Sequence, residues 1–379
     1  MIIIPKTETQ RIEPLDSLRG IAALLVVVFH VKYIFKLPLD PISEFVVSKF
    51  GLGVPLFFVL SSFSIFYSLD GKEFSIKSVQ YYFVRRFFRI APLYYFLLLV
   101  YFFYRHESLF SLEYLTKLYL NMTFSFGFSP ANHEGLVPAG WSIGIEFLIY
   151  FVLPIFFCLI RNYKVAFISF LIVFVATIIL TFEYNSLSYV GESYSYKNIA
   201  VMLPFFFLGI FIFYIYKTKS IMVMIGRKKI ILFFLTLIGA FLVYATYYYQ
   251  IHHKNIYVNF INYAKMYVYV SIVCFLFLIL LQLSNPVSLF HNKFFNYAGK
   301  WSYSIYLVHP LVIFSSKPVY DFIYSAGLNS TLSFCFSLFY TLSVVIILSY
   351  FAFIFIETKG INAGKLLIDR LKRPAIKTS

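Results

Sequence analysis

Charge is scarce in this chain of 379 residues: 13% are Asp, Glu, Lys or Arg, against 61% apolar and 22% aromatic. Soluble domains carry about a quarter charged residues, so a soluble globular protein is excluded and the composition is that of a polytopic membrane protein. Cysteine is scarce as well. Cys158, Cys274 and Cys335 fall inside apolar runs without metal or redox spacing. They read as small buried hydrophobes, with no disulfide framework and no metal site implied. A small-residue cleavage site is missing after the first apolar run, so Lys6 and Arg11 precede an uncleaved first span and not a signal peptide. No fixed-period repeat, Gly/Ser linker or second soluble domain is visible, and residues 1–379 are expected to form one membrane domain.

The net charge of +16 would suit a nucleic-acid partner only on a basic face of a soluble domain. Here the basic residues sit in short loops between apolar runs, where they set topology. Runs of roughly 17 to 25 apolar residues cross a bilayer. Ten candidates stand near 17–36, 50–69, 88–104, 141–160, 164–182, 199–216, 229–249, 266–283, 301–316 and 330–356. The ninth is short and the tenth long, so one of them bends, tilts or lies partly in the interface. With the N-terminus inside, 22 Lys/Arg fall on the cytoplasmic side and 8 outside, with Arg19 and Lys32 left within the first span. The expected fold is all-α with about ten transmembrane helices and both termini cytoplasmic. The long outside loop near 105–140, with Asn132, His133 and Glu134, reads equally as a lid over a site or as a solvated connector.

Ionisable residues inside spans are costly and usually face a bundle interior, where they pair, move protons or line a path. Arg19 and His30 are eleven residues apart, which puts them within about 20° of one helix face and roughly 16 Å apart along it. Arg86 and Arg89, at i and i+3, share a face beside Pro92. Two guanidinium forks there suit a multiply charged phosphate donor, whereas Arg85, about 100° away, reads as a topological anchor. Ser142, Glu146 and Tyr150 form a polar stripe at i, i+4 and i+8. A buried glutamate there has a partner or holds a proton, in a structural pair or a functional one. Ser302, Tyr306 and His309 form another stripe before Pro310, and His309 reads as a satisfied core residue or a functional one. By this spacing the arginines lie at the inner mouth, His309 near the midplane, and His30 and Glu146 in the outer half.

These segments resemble the bacterial acyltransferase-3 membrane proteins, which O-acylate polysaccharides and other extracytoplasmic targets. "LDSLRGIAALLVVVFH" resembles the family's opening motif with its Arg-x10-His pattern at Arg19 and His30, and "GLGVPLFFVLSSFSI" its second-helix motif. "RRFFRIAPLYY" is similar to its Arg-x-x-Arg motif at Arg86 and Arg89, "WSIGIEFLIY" to its Trp-Ser-x-x-x-Glu motif, and "WSYSIYLVHPLV" to its Ser-Tyr-x-x-Tyr-x-x-His motif. "SYFAFIFIETKGI" resembles the closing segment, so the resemblance covers a core at 12–367. Three departures stand out: Ser62 where the family usually has Gly, Phe147 in place of a frequent second acidic residue, and Thr358-Lys359-Gly360 after Glu357.

The resemblance implies an O-acetyltransferase of the inner membrane. Its donor is cytoplasmic acyl-CoA, most often acetyl-CoA, with no bound cofactor. Its acceptor is a hydroxyl of a cell-surface polysaccharide such as O-antigen or capsule, or of the lipid-linked precursor. Arg19, Arg86 and Arg89 are then expected to hold the donor. His30 acts as base or acyl carrier, Glu146 orients it, and His309 relays protons, with Ser142, Tyr150 and Tyr306 in support. The competing expectation is a proton-coupled transporter or flippase using His30, Glu146 and His309, against which the chain shows no inverted repeat. Neither reading sets an oligomeric state.

Overall fold

The structure, a computed structural model, describes residues 11–72, 75–105, 111–186, 194, 196–252 and 266–372. The described residues form helices and no strand. In chain order these are α1 (Glu13–Ile34), α2 (Pro41–Val47), α3 (Gly53–Leu69), α4 (Ile76–Arg105), α5 (Leu112–Met122), α6 (Trp141–Leu159), α7 (Tyr163–Ser186) and α8 (Ile199–Lys217). They continue with α9 (Lys219–Gly226), α10 (Lys229–His252), α11 (Met266–Ser284), α12 (Lys293–Lys300), α13 (Ser302–Ser315), α14 (Lys317–Ser325), α15 (Ser330–Ala352) and α16 (Thr358–Lys372). Helix starts follow local capping chemistry. Asp40, Ser111, Asn198, Asn292 and Asn329 each accept an orphan backbone N–H of the helix that follows, the satisfaction that a helix N-terminus needs.

Nine helical stretches among the described residues are long and apolar enough to cross a membrane. The tenth expected span is α13, whose 14 residues reach about 21 Å, short of a hydrocarbon core of about 30 Å. The chain breaks at Trp301 between α12 and α13, so α13 begins inside the bundle. The last stretch, Ser330–Lys372, runs 43 residues. A π-helical turn at Phe353–Glu357 separates its apolar part from α16.

Burial sorts the helices into centre and rim. In the apolar window of α8, 78% of residues are buried inside the protein, against 22% in those of α7 and α10. The rim helices present Phe, Ile and Leu outward, as a lipid-facing surface does. α1 lies at the centre, in contact with α3, α12, α13 and α15. Small residues set the close approaches. A Cβ on Gly299 would overlap the Asp16 carbonyl oxygen, and one on Gly209 would overlap the Val59 carbonyl and the Ser62 hydroxyl. Ser62, the departure from Gly in α3, is fully buried and faces Gly209 of α8. A glycine on the partner helix gives the room that the serine takes.

Contacts between helix ends define two faces. At one, Lys217 pairs with Asp70 at 2.5 Å and His291 lies 3.7 Å from Glu13. At the other, buried Lys32 pairs with Glu44 at 3.2 Å, Thr331 donates to Asp40, and Lys197 pairs with Glu134 at 2.6 Å. Hydrogen bonds from Ser43 and then from Thr331 hold the Asp40 carboxyl down to about 2. The described part of the long loop is tied down: Asn121 accepts from Tyr94 at 2.6 Å and from the Leu136 N–H at 2.9 Å. His133, 8% exposed, is seated on the Pro130 carbonyl. Residues 106–110 of that loop lie outside the described residues.

Candidate functional site

Asp16 and Arg19 stand one helical turn apart on α1. Arg19 pairs with Asp16 through Nη1, and its Nη2 donates to the Leu60 carbonyl at 3.2 Å and to the Ser64 hydroxyl of α3. Arg11 approaches the same carboxylate at 3.7 Å. On α4, the Arg86 guanidinium lies 5.4 Å from the Tyr150 ring centre and 5.7 Å from that of Tyr82, within cation–π range. Arg89 is in electrostatic reach of Glu357 first, then of Tyr150, Glu146 and Asp16. Among the described residues no carboxylate forms an ion pair with Arg86 or Arg89. Glu357 is 1% exposed and accepts from Ser304 at 2.9 Å. The π-helical turn, a distortion frequent at functional sites, includes this residue.

α6 contributes the other wall. Glu146 accepts from Ser61 of α3 and from Tyr150 one turn along its own helix. Ser142 donates to the Tyr306 hydroxyl at 2.7 Å, and that hydroxyl donates to the Ala139 carbonyl at 2.8 Å. Ala139 is held left-handed at φ 62°, a costly geometry for a residue with a Cβ, kept here just before the first turn of α6. Arg11, Asp16, Arg19, Ser61, Ser64, Arg86, Arg89, Ser142, Glu146, Tyr150 and Tyr306 all border one cavity of about 260 Å³. Its polar wall has four arginines, Arg11, Arg19, Arg86 and Arg89, against two carboxylates, Asp16 and Glu146. Such an excess of positive charge, with two guanidinium groups free of ion pairs, suits a polyanion.

His30 and His309 lie beyond that cavity. The His309 ring centre is 5.7 Å from that of Tyr306, which borders the cavity. His309 Nε2 is 3.0 Å from His30 Nδ1, and the two rings are 4.9 Å apart. Each Nδ1 also faces a backbone carbonyl, Val26 for His30 at 3.1 Å and Ile305 for His309 at 3.3 Å. Carbonyls only accept, so with Nδ1 protonated in both uncharged rings the one His30 Nδ1–H is shared between the Val26 carbonyl and His309 Nε2. His30 Nε2 is thereby left bare. His309 is fully buried and His30 half-buried.

Family comparison decides what this arrangement belongs to. The chain matches an acyltransferase domain over residues 12–350, most of its length. The chain belongs to the acyltransferase-3 family. It is also 30% identical over 182 residues to a protein of Acidianus two-tailed virus named "Putative acetyltransferase ORF330". That match covers 45% of this chain and 49% of the relative, so the chain spans about half the length of the curated relative it matches. No solved structure matches.

In this acyltransferase-3 chain the expected site residues fall into two groups. Arg19, Arg86, Arg89, Ser142, Glu146, Tyr150 and Tyr306 come together on one cavity, while His30 and His309 form a separate pair. Two expectations need correction. The group hydrogen-bonded to the His30 ring is His309, since Glu146 is taken up by Ser61 and Tyr150. The depth order also changes: His309 lies beside His30, and Glu146 lies with the arginines. Depth read from spacing assumes that every helix starts at the membrane surface, which the break at Trp301 violates for α13. Spacing also missed Arg11, Asp16, Ser61, Ser64 and the packing of Glu357. Its available signals were an acidic residue one turn before Arg19 and a lone carboxylate in the last apolar stretch.

Proposed function

We propose that this protein is a membrane O-acyltransferase that moves an acetyl group from cytoplasmic acetyl-CoA to a hydroxyl of a cell-surface polysaccharide or its lipid-linked precursor. The observation that carries this reading is the juxtaposition of an arginine-rich cavity with a paired histidine just past its tyrosine wall. By the Lys/Arg bias the arginine end faces the cytoplasm, so the membrane is the inner one if the cell has two. Arg86 and Arg89 hold donor phosphate, and Arg19, braced by Asp16, lies on the wall that the pantetheine arm follows.

Past Phe57 and Tyr306 the thioester meets His30. Its bare Nε2 takes the proton of the acceptor hydroxyl as the oxygen attacks the thioester carbonyl. The new C–O bond forms, the C–S bond breaks, and the CoA thiolate leaves with the proton returned by the imidazolium. His309 accepts from Nδ1–H throughout, fixing the tautomer and spreading the charge of the imidazolium, the part a carboxylate plays in a triad. Glu146, Ser61 and Tyr150 shape the cavity wall beside Arg86, and Ser142 holds Tyr306 against Ala139.

The deciding experiment incubates membranes carrying the protein with acetyl-CoA labelled in the acetyl group and with the host's lipid-linked saccharides. Label in the glycan, lost in His30→Ala at equal protein abundance, is the expected result. Saccharide crossing the membrane with no label transferred would replace the enzyme with a flippase.

A further inference from the structure

Arg85 takes no part in the cavity described above, although it directly precedes Arg86 on α4. It lines a second cavity of about 210 Å³ together with Lys72, Lys372, Tyr81 and Ser78. The two cavities are neighbours through shared elements: Arg86 borders the first and Arg85 the second, and at the end of α3 Ser68 borders the first and Leu69 the second. Consecutive residues on a helix diverge by about 100°. Two adjacent guanidinium groups therefore border two different cavities.

Among the described residues, the lining of the second cavity has three cations, Lys72, Arg85 and Lys372, and no carboxylate. Among the described residues Lys72 and Arg85 form no ion pair, and Lys372 has Asp369 at 3.9 Å on the exposed face of α16. Partial desolvation and, after it, the nearby charges of Arg85 and Arg86 lower the Lys72 ammonium from its usual range, and the second of these causes is one that a bound anion would offset. Lys372 is brought here because α16 packs tightly on α4: Gly360 and Gly364 leave space that a Cβ could not share with Phe88 and Pro92. Its ammonium lies 5.7 Å from the Tyr81 ring centre. The site thus combines three cations with the Ser78 and Tyr81 hydroxyls and the Tyr81 and Phe157 rings.

We propose that this second cavity receives the 3′-phosphate end of the donor nucleotide, with the pyrophosphate held by Arg86 and Arg89 in the first. The assignment rests on acyl-CoA being the donor. Coenzyme A carries its phosphates at two places separated by a ribose, a diphosphate and a 3′-monoester, beside an adenine. Two adjacent cationic cavities divided by α4, the outer one with a tyrosine, match that division, since aromatic rings stack on bases and guanidinium groups bind phosphate. A phosphomonoester lipid headgroup offers the same charge chemistry but no base.

The test compares CoA with 3′-dephospho-CoA, titrated calorimetrically into the full chain in nanodiscs of zwitterionic lipid. Charge-assisted hydrogen bonds make the expected wild-type preference for CoA about 10- to 100-fold. In Lys72→Ala with Arg85→Ala, CoA should weaken to the level of 3′-dephospho-CoA while the affinity for 3′-dephospho-CoA holds, which also shows the variant folded. Equal weakening of both ligands, or a wild type that binds them equally, overturns the assignment and leaves the donor reading standing. A wild type that binds neither overturns both. A parallel titration adds phosphatidic acid to the nanodiscs. If the variant loses only the effect of that lipid and keeps its preference for CoA, the cavity is a lipid site and the assignment fails.

Discussion

The two ends of α1 do opposite things with polar groups. At Arg19 the helix borders an open cavity in which four arginines outnumber two carboxylates. At His30 it meets another helix through one hydrogen bond between rings. Binding a polyanion requires charge that is not cancelled, and that charge is tolerable only where water or ligand reaches it. Moving a proton from a hydroxyl requires a base that is not hydrated and whose tautomer is fixed. The roughly 16 Å of helix between the two residues keeps these environments apart.

Removing the base is the most direct way to break the contrast. His30→Ala is expected to lower acyl transfer by about 10³-fold, within the range of a lost general base, with donor KM and membrane abundance unchanged. Steady-state kinetics at matched abundance check this; a variant with near wild-type turnover removes His30 from the chemistry. The next effect belongs to its partner. His309→Ala should cost about 10²-fold in kcat, as a small misplacement of a catalytic group does, and His309→Gln should recover part of it, because the glutamine oxygen can accept from His30 Nδ1–H. Loss of abundance in both variants with kcat per folded molecule intact would make His309 a packing residue only.

Much of this contrast was legible in the sequence. Arg19, Arg86, Arg89, Glu146, His30 and His309 stand out because ionisable groups in apolar runs are conspicuous, and an Arg-x10-His spacing gives axial separation directly. Nine of ten expected spans are helices of spanning length, since length and hydropathy suffice for that. What spacing could not supply is how helices are offset from one another. α13 starts inside the bundle, so His309 meets His30; α6 turns Glu146 toward Ser61 of α3. Partner choice of this kind depends on helix–helix approach at positions such as Gly299 and Gly209, and local periodicity carries no record of it. Arg85 illustrates the same limit: turned about 100° from Arg86 on its helix, it reads as an anchor, and the approach of α16 brings Lys372 to it.

The smallest effects give the sharpest test of the cavity end, because they differ in sign. Arg86→Ala with Arg89→Ala should raise donor KM by about 10- to 100-fold, the cost of losing charge-assisted hydrogen bonds to phosphate, and leave kcat at saturating donor within a few-fold. Glu357 acts the other way. It is the foremost electrostatic neighbour of Arg89 and, on this reading, competes with the donor for that guanidinium. Glu357→Gln keeps an acceptor for the Ser304 hydroxyl while removing the negative charge, so donor KM should fall, by about two- to five-fold, and the fall should shrink at high salt as screening increases. A scaffold role for Glu357 predicts loss of abundance with KM unchanged or raised. A rise in KM for Arg86→Ala with Arg89→Ala and a fall for Glu357→Gln, measured on the same donor, can arise together only if the cavity binds an anion and its affinity is set by the balance of charge around Arg89.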